Sequence, residues 1–140
     1  MFHSASSKLR IMRSFNFMKT TNLSKISFRS FASQNSEFVV TLKTVDDYEK
    51  EVAKSPIPVL IDFYADWCAP CRKAAPFLES KANELKTFKL VKVNVDNHPE
   101  LSEKFKVGGI PYLVLVKDGK KVGELVGFNE SKLNTMLSEI

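Results

Sequence analysis

Cysteine and histidine are scarce in this sequence. Its 140 residues include two cysteines, Cys68 and Cys71, and two histidines, His3 and His98, which lie far apart along the chain. A structural zinc site usually takes four such ligands. The sequence therefore disfavours a zinc site, and its chemistry has to be sought in the two closely spaced cysteines.

Acidic residues are absent from residues 1–36, which hold six of the 21 basic residues and none of the 16 acidic ones. The other 15 basic residues share residues 37–140 with all 16 acids. The formal net charge of +5 therefore belongs to the N-terminal segment. The rest of the chain is close to neutral.

Long apolar runs are also missing from the N-terminal segment. Leu9, Met12 and Phe15 recur at roughly helical spacing, in runs too short for the apolar core of a signal peptide or for a membrane span. A basic, serine-rich, acid-free and amphipathic segment is typical of an organellar transit peptide. We predict that residues 1–31 are a mitochondrial transit peptide, disordered and removed by cleavage after Phe31. The alternative is a disordered basic arm that binds nucleic acid or membranes.

Cys68 and Cys71 follow an apolar, β-prone run at residues 58–65 and precede a helical pattern at residues 72–86. The pair is therefore predicted where a buried strand ends and a helix begins. Unpaired N–H groups and the helix dipole favour a thiolate there, and such sites lower a cysteine pKa from about 8.5 to about 7.5 or less. With two intervening residues, Cys68 can attack a foreign disulfide and Cys71 can resolve the mixed disulfide. The pattern indicates reversible two-electron thiol exchange.

Three other interpretations of the pair stay open: a structural disulfide, half of a zinc site, and two unrelated buried thiols. A lone C-x-x-C beside a strand–helix pattern favours a redox pair over these. We therefore predict a redox pair and assign no metal ligand.

Nine predicted elements follow residue 36 in the order βαβαβαββα. The strands are predicted at residues 37–42, 58–65, 88–95, 112–116 and 121–126, and the helices begin near residues 45, 72, 100 and 130. Pro76 lies inside the second helix, where it predicts either a kink or a restart. Asp118-Gly119 predicts a hairpin turn. We expect an α/β fold with a mixed sheet and helices on both faces.

Several motifs resemble those of thioredoxins and occur in the order and spacing of that family. They are residues 62–71 (Asp-Phe-Tyr-Ala-Asp-Trp-Cys-Ala-Pro-Cys), residues 92–96 (Lys-Val-Asn-Val-Asp), Gly109-Ile110-Pro111, Lys117-Asp118-Gly119 and Gly127. The resemblance covers essentially all of residues 37–140. It implies a thioredoxin fold, a central mixed five-stranded sheet flanked by four helices, in a domain that we place at residues 32–140.

The resemblance also implies a function, that of a protein-disulfide reductase. Cys68 would be the nucleophile and Cys71 the resolving thiol, with the disulfide between them as the redox group and no bound cofactor. Electrons would come from NADPH through thioredoxin reductase, and the clients would be proteins with disulfides, such as peroxiredoxins. Together with the predicted transit peptide, the resemblance implies a protein that serves redox homeostasis in the mitochondrial matrix. It also implies a monomer with no nucleic-acid partner and no membrane span.

Three further residues gain roles through the resemblance. Asp62 interrupts an apolar strand, so burial is expected to raise its pKa and to suit it to proton transfer with Cys71; the alternative is a carboxylate in water on an edge strand. Lys92 would neighbour Asp62 and tune its charge, or else be a solvated strand lysine. Pro111 would be a cis-proline that faces the sulfur atoms and turns the Ile110 backbone toward a client peptide. An ordinary trans turn is the alternative there.

A client-binding surface is also implied, formed by Trp67, Ala69, Pro70, Gly109, Ile110, Pro111 and Gly127. Two residues depart from the family pattern. Ala69 replaces the usual glycine between the first cysteine and the proline, and it should fit a helix start at little cost. Tyr112 replaces the usual threonine after the cis-proline, which bears on the choice of client or reductase.

Two other functional classes remain as alternatives. A glutaredoxin-like enzyme would usually carry tyrosine in place of Ala69, together with a glutathione-binding set that we do not find. A non-catalytic subunit could use the same scaffold, because a fold does not fix a function. Such a subunit should tolerate the loss of both cysteines.

Overall fold

A computed structural model of the chain describes residues 36–140. The predicted transit peptide and its cleavage after Phe31 lie outside the described residues. The elements are β1 (Val39–Thr41), α1 (Val45–Tyr48), a π-helical turn (Glu49–Ala53), β2 (Val59–Tyr64), α2 (Ala69–Leu85), β3 (Lys89–Asn94), α3 (Pro99–Lys104), β4 (Tyr112–Lys117), β5 (Lys120–Val126) and α4 (Glu130–Leu137). This is the predicted order, and the predicted thioredoxin fold with five strands and four helices is confirmed.

The five strands form one mixed sheet in the order β1-β3-β2-β4-β5. β2 lies at its centre, parallel to β3 on one side and antiparallel to β4 on the other. In this register Asp62 of β2 lies opposite Lys92 of β3 and Leu113 of β4. The only carboxylate in β2 therefore lies in the middle of the sheet.

Two apolar clusters cover the two faces of the sheet. On one face, side chains of β2, β3 and β4 such as Leu60, Leu90 and Leu113 pack against α2 and α4. On the other face, alternate residues such as Ile61 and Val91 pack among residues of the first helical segment and of α3. Because side chains alternate along a strand, Asp62 shares the face of Leu60, on the side of α2.

α2 begins at Ala69, three residues earlier than predicted. Pro70 lies in its first turn, where a proline removes no helical hydrogen bond because the N–H groups there have no partner within the helix. The helix then continues through Pro76 to Leu85 as a single element, so of the two alternatives for Pro76 the restart is wrong. The early start brings Cys71 inside the helix.

The first helical segment begins as predicted but changes its type. Thr44 caps α1 through a reciprocal capping box with Asp47, in which the Thr44 side chain accepts the Asp47 N–H and the Asp47 side chain accepts the Thr44 N–H. The chain then widens into the π-helical turn, which Lys54 closes by donating its N–H to the Glu49 carbonyl at 3.0 Å. The predicted helix through Val52 is therefore only half α-helical.

The β4–β5 hairpin turns at Asp118-Gly119, as predicted, and both residues have positive φ angles of 52° and 72°. Beyond this turn, Gly123 of β5 allows α4 to come close to the sheet. A Cβ atom at Gly123 would lie 2.9 Å from both Cγ and Sδ of Met136. The missing side chain therefore sets the distance between β5 and α4.

We predict that Leu78→Ala lowers the free energy of unfolding by about 2–5 kcal/mol, because Leu78 is completely buried between α2 and the sheet. Urea denaturation measures this change. Leu85→Ala is the matched control in the same helix, since Leu85 is 44% exposed, and it should change stability by about 0.5 kcal/mol or less. Equal losses for both variants would contradict this packing.

Candidate active site

Cys68 and Cys71 form a disulfide at the start of α2, with their Cα atoms 5.3 Å apart. Cys68 is the N-cap residue of the helix and Cys71 lies within its first turn. The pair therefore lies where the sequence predicted it, between a buried strand and a helix.

The backbone N–H of Cys71 points at the sulfur of Cys68, with 3.3 Å between the nitrogen and Sγ. A hydrogen bond of this kind favours the charged form of its acceptor, and the positive end of the helix dipole adds to it. Both cysteines are nearly fully covered, at 4% and 3% exposure. Their position on the helix, rather than their exposure, therefore distinguishes the two thiols.

Asp62 is buried at 2% exposure in the central strand. An edge-strand carboxylate in water, one of the two interpretations of its sequence, is therefore wrong. Burial raises the pKa of Asp62 to about 7, against a smaller lowering by the positive charge of Lys92 and with a small further rise from Glu79. Within residues 36–140, no donor lies within hydrogen-bonding distance of its Oδ1 atom. Asp62 can thus take up or release a proton near neutral pH.

A cavity of about 410 Å³ connects Asp62 with the resolving end of the cysteine pair. It is lined by Asp62, Tyr64, Ala65, Asp66, Cys71, Arg72, Ala75 and Lys92. Its walls are polar enough and its volume large enough to admit water. Water in this cavity can therefore carry a proton between Cys71 and Asp62. Cys68 does not line this cavity.

Lys92 lies beside Asp62 in the register of β3 and β2, as the resemblance implied. Its ammonium group, however, donates to Oε1 of Glu79 on α2 at 2.7 Å, and it lies 5.3 Å from the centre of the Tyr64 ring. Lys92 thus acts on Asp62 by its charge and not by a hydrogen bond. The sequence offered no signal for Glu79, because its pairing depends on how α2 crosses β3.

The Ile110–Pro111 peptide bond is cis. The carbonyl of Pro111 accepts the N–H of Gly127 at 2.8 Å, which joins two of the predicted client-binding residues. Ile110 packs on the cluster of Ala65, Cys68 and Cys71. The chain before β4 therefore lies next to the cysteine pair.

A shallow groove of about 200 Å³ borders this region, and it is lined by Trp67, Val95, Ser102, Val107, Gly108, Gly109 and Ile110. It brings together three of the predicted client-binding residues, Trp67, Gly109 and Ile110. Ala69 and Pro70 lie exposed in the first turn of α2, outside its lining, and Gly127 lies outside it as well. Trp67 is 69% exposed, so the groove presents a large apolar ring to solvent.

Two contacts that the sequence analysis missed hold this surface in place. The indole N–H of Trp67 donates to Oδ2 of Asp96 at 3.0 Å. Arg72 donates from Nη1 to the carbonyl of Asp66 at 2.6 Å, across the loop between β2 and α2. Asp96 is the last residue of the family-like motif at residues 92–96, and this motif was the only sequence signal for its role.

Tyr112, the departure after Pro111, is buried at 5% exposure. Its ring lies 5.9 Å from the ring of Phe63, and its hydroxyl donates to Glu124 of β5, which also pairs with Lys121. The Tyr112 hydroxyl therefore contacts the Lys121–Glu124 ion pair on the edge strand β5. That Tyr112 changes client or reductase preference stays a prediction.

The described residues hold no cluster of three or more His, Cys, Asp or Glu side chains arranged to bind a metal ion. Between Ser36 and Ile140, no helix is both long and apolar enough to cross a membrane.

Comparison with known proteins agrees with this geometry. The family model described as Thioredoxin matches residues 38–139. A curated relative named Thioredoxin-2, from Pyricularia oryzae, is 37% identical over 125 residues, which cover 89% of this chain and 72% of the relative. The crystal structure of oxidised mitochondrial thioredoxin 3 from Saccharomyces cerevisiae is similar with a TM-score of 0.67 and 27% identity, over 73% of this chain and 95% of that one.

A further similar structure comes from work on the thiol-resolving mechanism of a yeast mitochondrial 1-Cys peroxiredoxin via the glutathione and thioredoxin systems. It has a TM-score of 0.67 and 26% identity, over 73% of this chain and 95% of that chain. The family match covers most of the residues that the structure describes.

We predict that the Asp62→Asn variant gains stability relative to the wild type as the pH rises. The unfolded chain releases this proton near the ordinary pKa of 3.8, whereas the folded chain keeps it up to a pKa of about 7. Between these values the folded wild type binds the extra proton, so its stability falls with rising pH. The difference between variant and wild type should grow by about 4 kcal/mol from roughly pH 4 to roughly pH 8.

Urea denaturation of the disulfide forms over this pH range measures the difference. Asp46→Asn, at an exposed position of α1, is the control and should follow the wild-type curve. A constant difference between Asp62→Asn and the wild type would contradict the raised pKa.

Proposed function

Because the chain belongs to the thioredoxin family, we propose that it is a general protein-disulfide reductase of the mitochondrial matrix. It is a thiol–disulfide oxidoreductase, and like its family it uses its own cysteine pair in place of a prosthetic cofactor. The observation that carries the proposal is the Cys68–Cys71 disulfide at the first turn of α2, beside a buried carboxyl group.

The proposed reaction begins with the thiolate of Cys68. It attacks one sulfur of a client disulfide, so that a mixed disulfide forms and the second client sulfur leaves as a thiolate, which takes up a proton. Cys71 then loses its proton and attacks the sulfur of Cys68. The client's first sulfur leaves and is protonated, so the client gains two electrons and two protons while the disulfide between Cys68 and Cys71 forms.

Asp62 is the proposed acceptor of the Cys71 proton. Support comes from its pKa of about 7 and from the cavity that both residues line. A general base works best when its pKa lies near the working pH. Lys92, which lies opposite Asp62 and lowers its pKa by charge, tunes this base.

The groove beside Trp67 is the proposed docking surface for the client peptide. Ile110 packs against the cysteine pair, and the backbone of this segment is the proposed partner for strand-like hydrogen bonds to an extended peptide. Backbone pairing does not read side chains, so this contact suits clients of varied sequence. The exposed Trp67 ring and the glycines at 108 and 109 add an apolar surface.

NADPH-dependent thioredoxin reductase is the proposed electron donor, since the thioredoxin family acts with that enzyme. Peroxiredoxins are the proposed class of client. The similar structure that concerns resolution of a yeast peroxiredoxin by thioredoxin systems supports this choice. We propose that the protein works as a monomer, without a nucleic-acid partner.

Residues 1–31 are the proposed mitochondrial address, to be removed so that the thioredoxin domain begins at residue 32. The support is the segment's composition, basic and free of acids, against the near-neutral remainder. The similarity to a yeast mitochondrial thioredoxin points the same way.

We predict that residues 32–140 reduce insulin disulfides when supplied with NADPH and thioredoxin reductase. Turbidity of the released insulin chains and NADPH consumption measure the activity. A variant that carries both Cys68→Ser and Cys71→Ser is the inactive control. Activity with glutathione and glutathione reductase alone would indicate a glutaredoxin-like enzyme, and a cellular function that survives the double variant would indicate a non-catalytic subunit.

We predict that Cys71→Ser traps clients in covalent complexes, whereas Cys68→Ser traps none. Cys68 is the N-cap residue and accepts the Cys71 N–H, which favours its thiolate, whereas Cys71 lies three residues further in and lines the Asp62 cavity. Non-reducing gels of lysate should show adducts of Cys71→Ser that disappear with dithiothreitol. Equal trapping by both variants would reverse or abolish the assigned roles.

We predict that residues 1–31, fused to a fluorescent protein, suffice for import into mitochondria. Their positive charge and amphipathic spacing are what import requires. A fusion in which the six basic residues are replaced by glutamine is the control and should stay in the cytosol. A diffuse cytosolic signal from the unaltered fusion would refute the address.

A further inference from the structure

The Lys92 ammonium group has two carboxylates within its reach, one buried and one near the surface. Asp62 lies opposite Lys92 in the β2–β3 register, and neighbouring side chains on one sheet face are close enough to pair. The ion pair nevertheless goes to Glu79 of α2, at 2.7 Å between Nζ and Oε1. Within the described residues, Asp62 has no ion pair with Lys92.

The difference in burial between Glu79 and Asp62 explains why it matters which of them pairs with Lys92. The side chain of Lys92 is 18% exposed and that of Glu79 is 41% exposed, so water solvates the pair in part. Asp62 is 2% exposed, and an ammonium group seated on it would hold its carboxylate in the charged form. Glu79 thus competes with Asp62 for one cation, from the helix that also carries Cys71.

We propose that Glu79 is a positioning residue that holds the Lys92 ammonium group away from Asp62, so that Asp62 stays free to exchange a proton with Cys71. The proposal rests on the proposed proton transfer by Asp62. Glu79 itself lines neither the cavity shared by Asp62 and Cys71 nor the client groove.

The other groups that face Asp62 do not take over the effect of Lys92 and Glu79 on its carboxyl group. From α2, Cys71 and Arg72 line the shared cavity, and Arg72 is engaged with the Asp66 carbonyl. From β2 and the loop that follows it, Tyr64 and Asp66 line the same cavity. The partner of Asp62 on β4 is the apolar Leu113. Lys92 and Glu79 are the charged groups that act on the Asp62 pKa.

The test measures the titration of Asp62 itself. In the disulfide form of the full chain, carbon-13 NMR of the Asp62 carboxyl group gives its midpoint without titration of the cysteines. Glu79→Gln should lower this midpoint from about 7 by about one pH unit, because Lys92 is released to pair with Asp62. Glu84→Gln removes a carboxylate from an exposed position of the same helix, and it should leave the midpoint unchanged.

A second background separates positioning from direct charge repulsion. In Lys92→Met there is no ammonium group to hold, so Glu79→Gln should move the Asp62 midpoint less than half as far as it does in the wild type. An equal movement in both backgrounds would mean that Glu79 acts on Asp62 through its own charge, and it would overturn the proposal. An unchanged midpoint in Glu79→Gln would overturn it as well.

Kinetics then distinguish this proposal from the proposed function on which it rests. The pH profile for resolution of a mixed disulfide with a peptide thiol should shift with the Asp62 midpoint in Glu79→Gln, and its inflection should vanish in Asp62→Asn. If the midpoint moves but the profile does not, the positioning by Glu79 stands and the proton transfer by Asp62 fails. If both stay fixed, Glu79 has no positioning role.

Discussion

The central strand β2 is paired on both sides and covered on both faces, and it carries an ionisable group. Its position leaves Asp62 without water on most of its surface and without a donor for Oδ1 among residues 36–140. A buried carboxylate costs free energy unless it is paired, so the fold favours the neutral acid. Strand pairing thereby sets the proton affinity of a group that lies six residues before Cys68 in the chain and lines one cavity with Cys71.

α2 links the stability of the molecule to its chemistry. Its N-cap is Cys68 and its first turn holds Cys71, its buried side supplies Ala74, Leu78 and Ala82 to the core, and its middle supplies Glu79 to Lys92. Any movement of this helix against the sheet would therefore change the sulfur positions and the Lys92 contact together. Burial of Leu78 contributes more to the position of this helix than one polar contact does, since a buried leucine is worth about 2–5 kcal/mol and a typical hydrogen bond about 0.5–1.5 kcal/mol.

Local sequence patterns predicted the element order, because apolar β-prone runs, caps and the Asp118-Gly119 turn each act over a few residues. They placed the start of α2 three residues late, since Pro70 is compatible both with a loop and with a first helical turn. The π-helical turn at Glu49–Ala53 has no signal in composition. The pairing of Glu79 with Lys92 depends on how a helix crosses a strand, and no periodicity within either element contains that information.

The close packing of α4 on β5 has a consequence for oxidative damage. A Cβ atom at residue 123 would lie only 2.9 Å from the Sδ atom of Met136. The Met136 side chain is 9% exposed. Methionine sulfoxide carries one more oxygen atom and is polar, so its formation would put a polar group into this apolar contact. Because Met136 also lines an open surface pocket of about 320 Å³ together with Gly123 and Thr135, oxidation of its thioether would weaken the packing of α4 on β5.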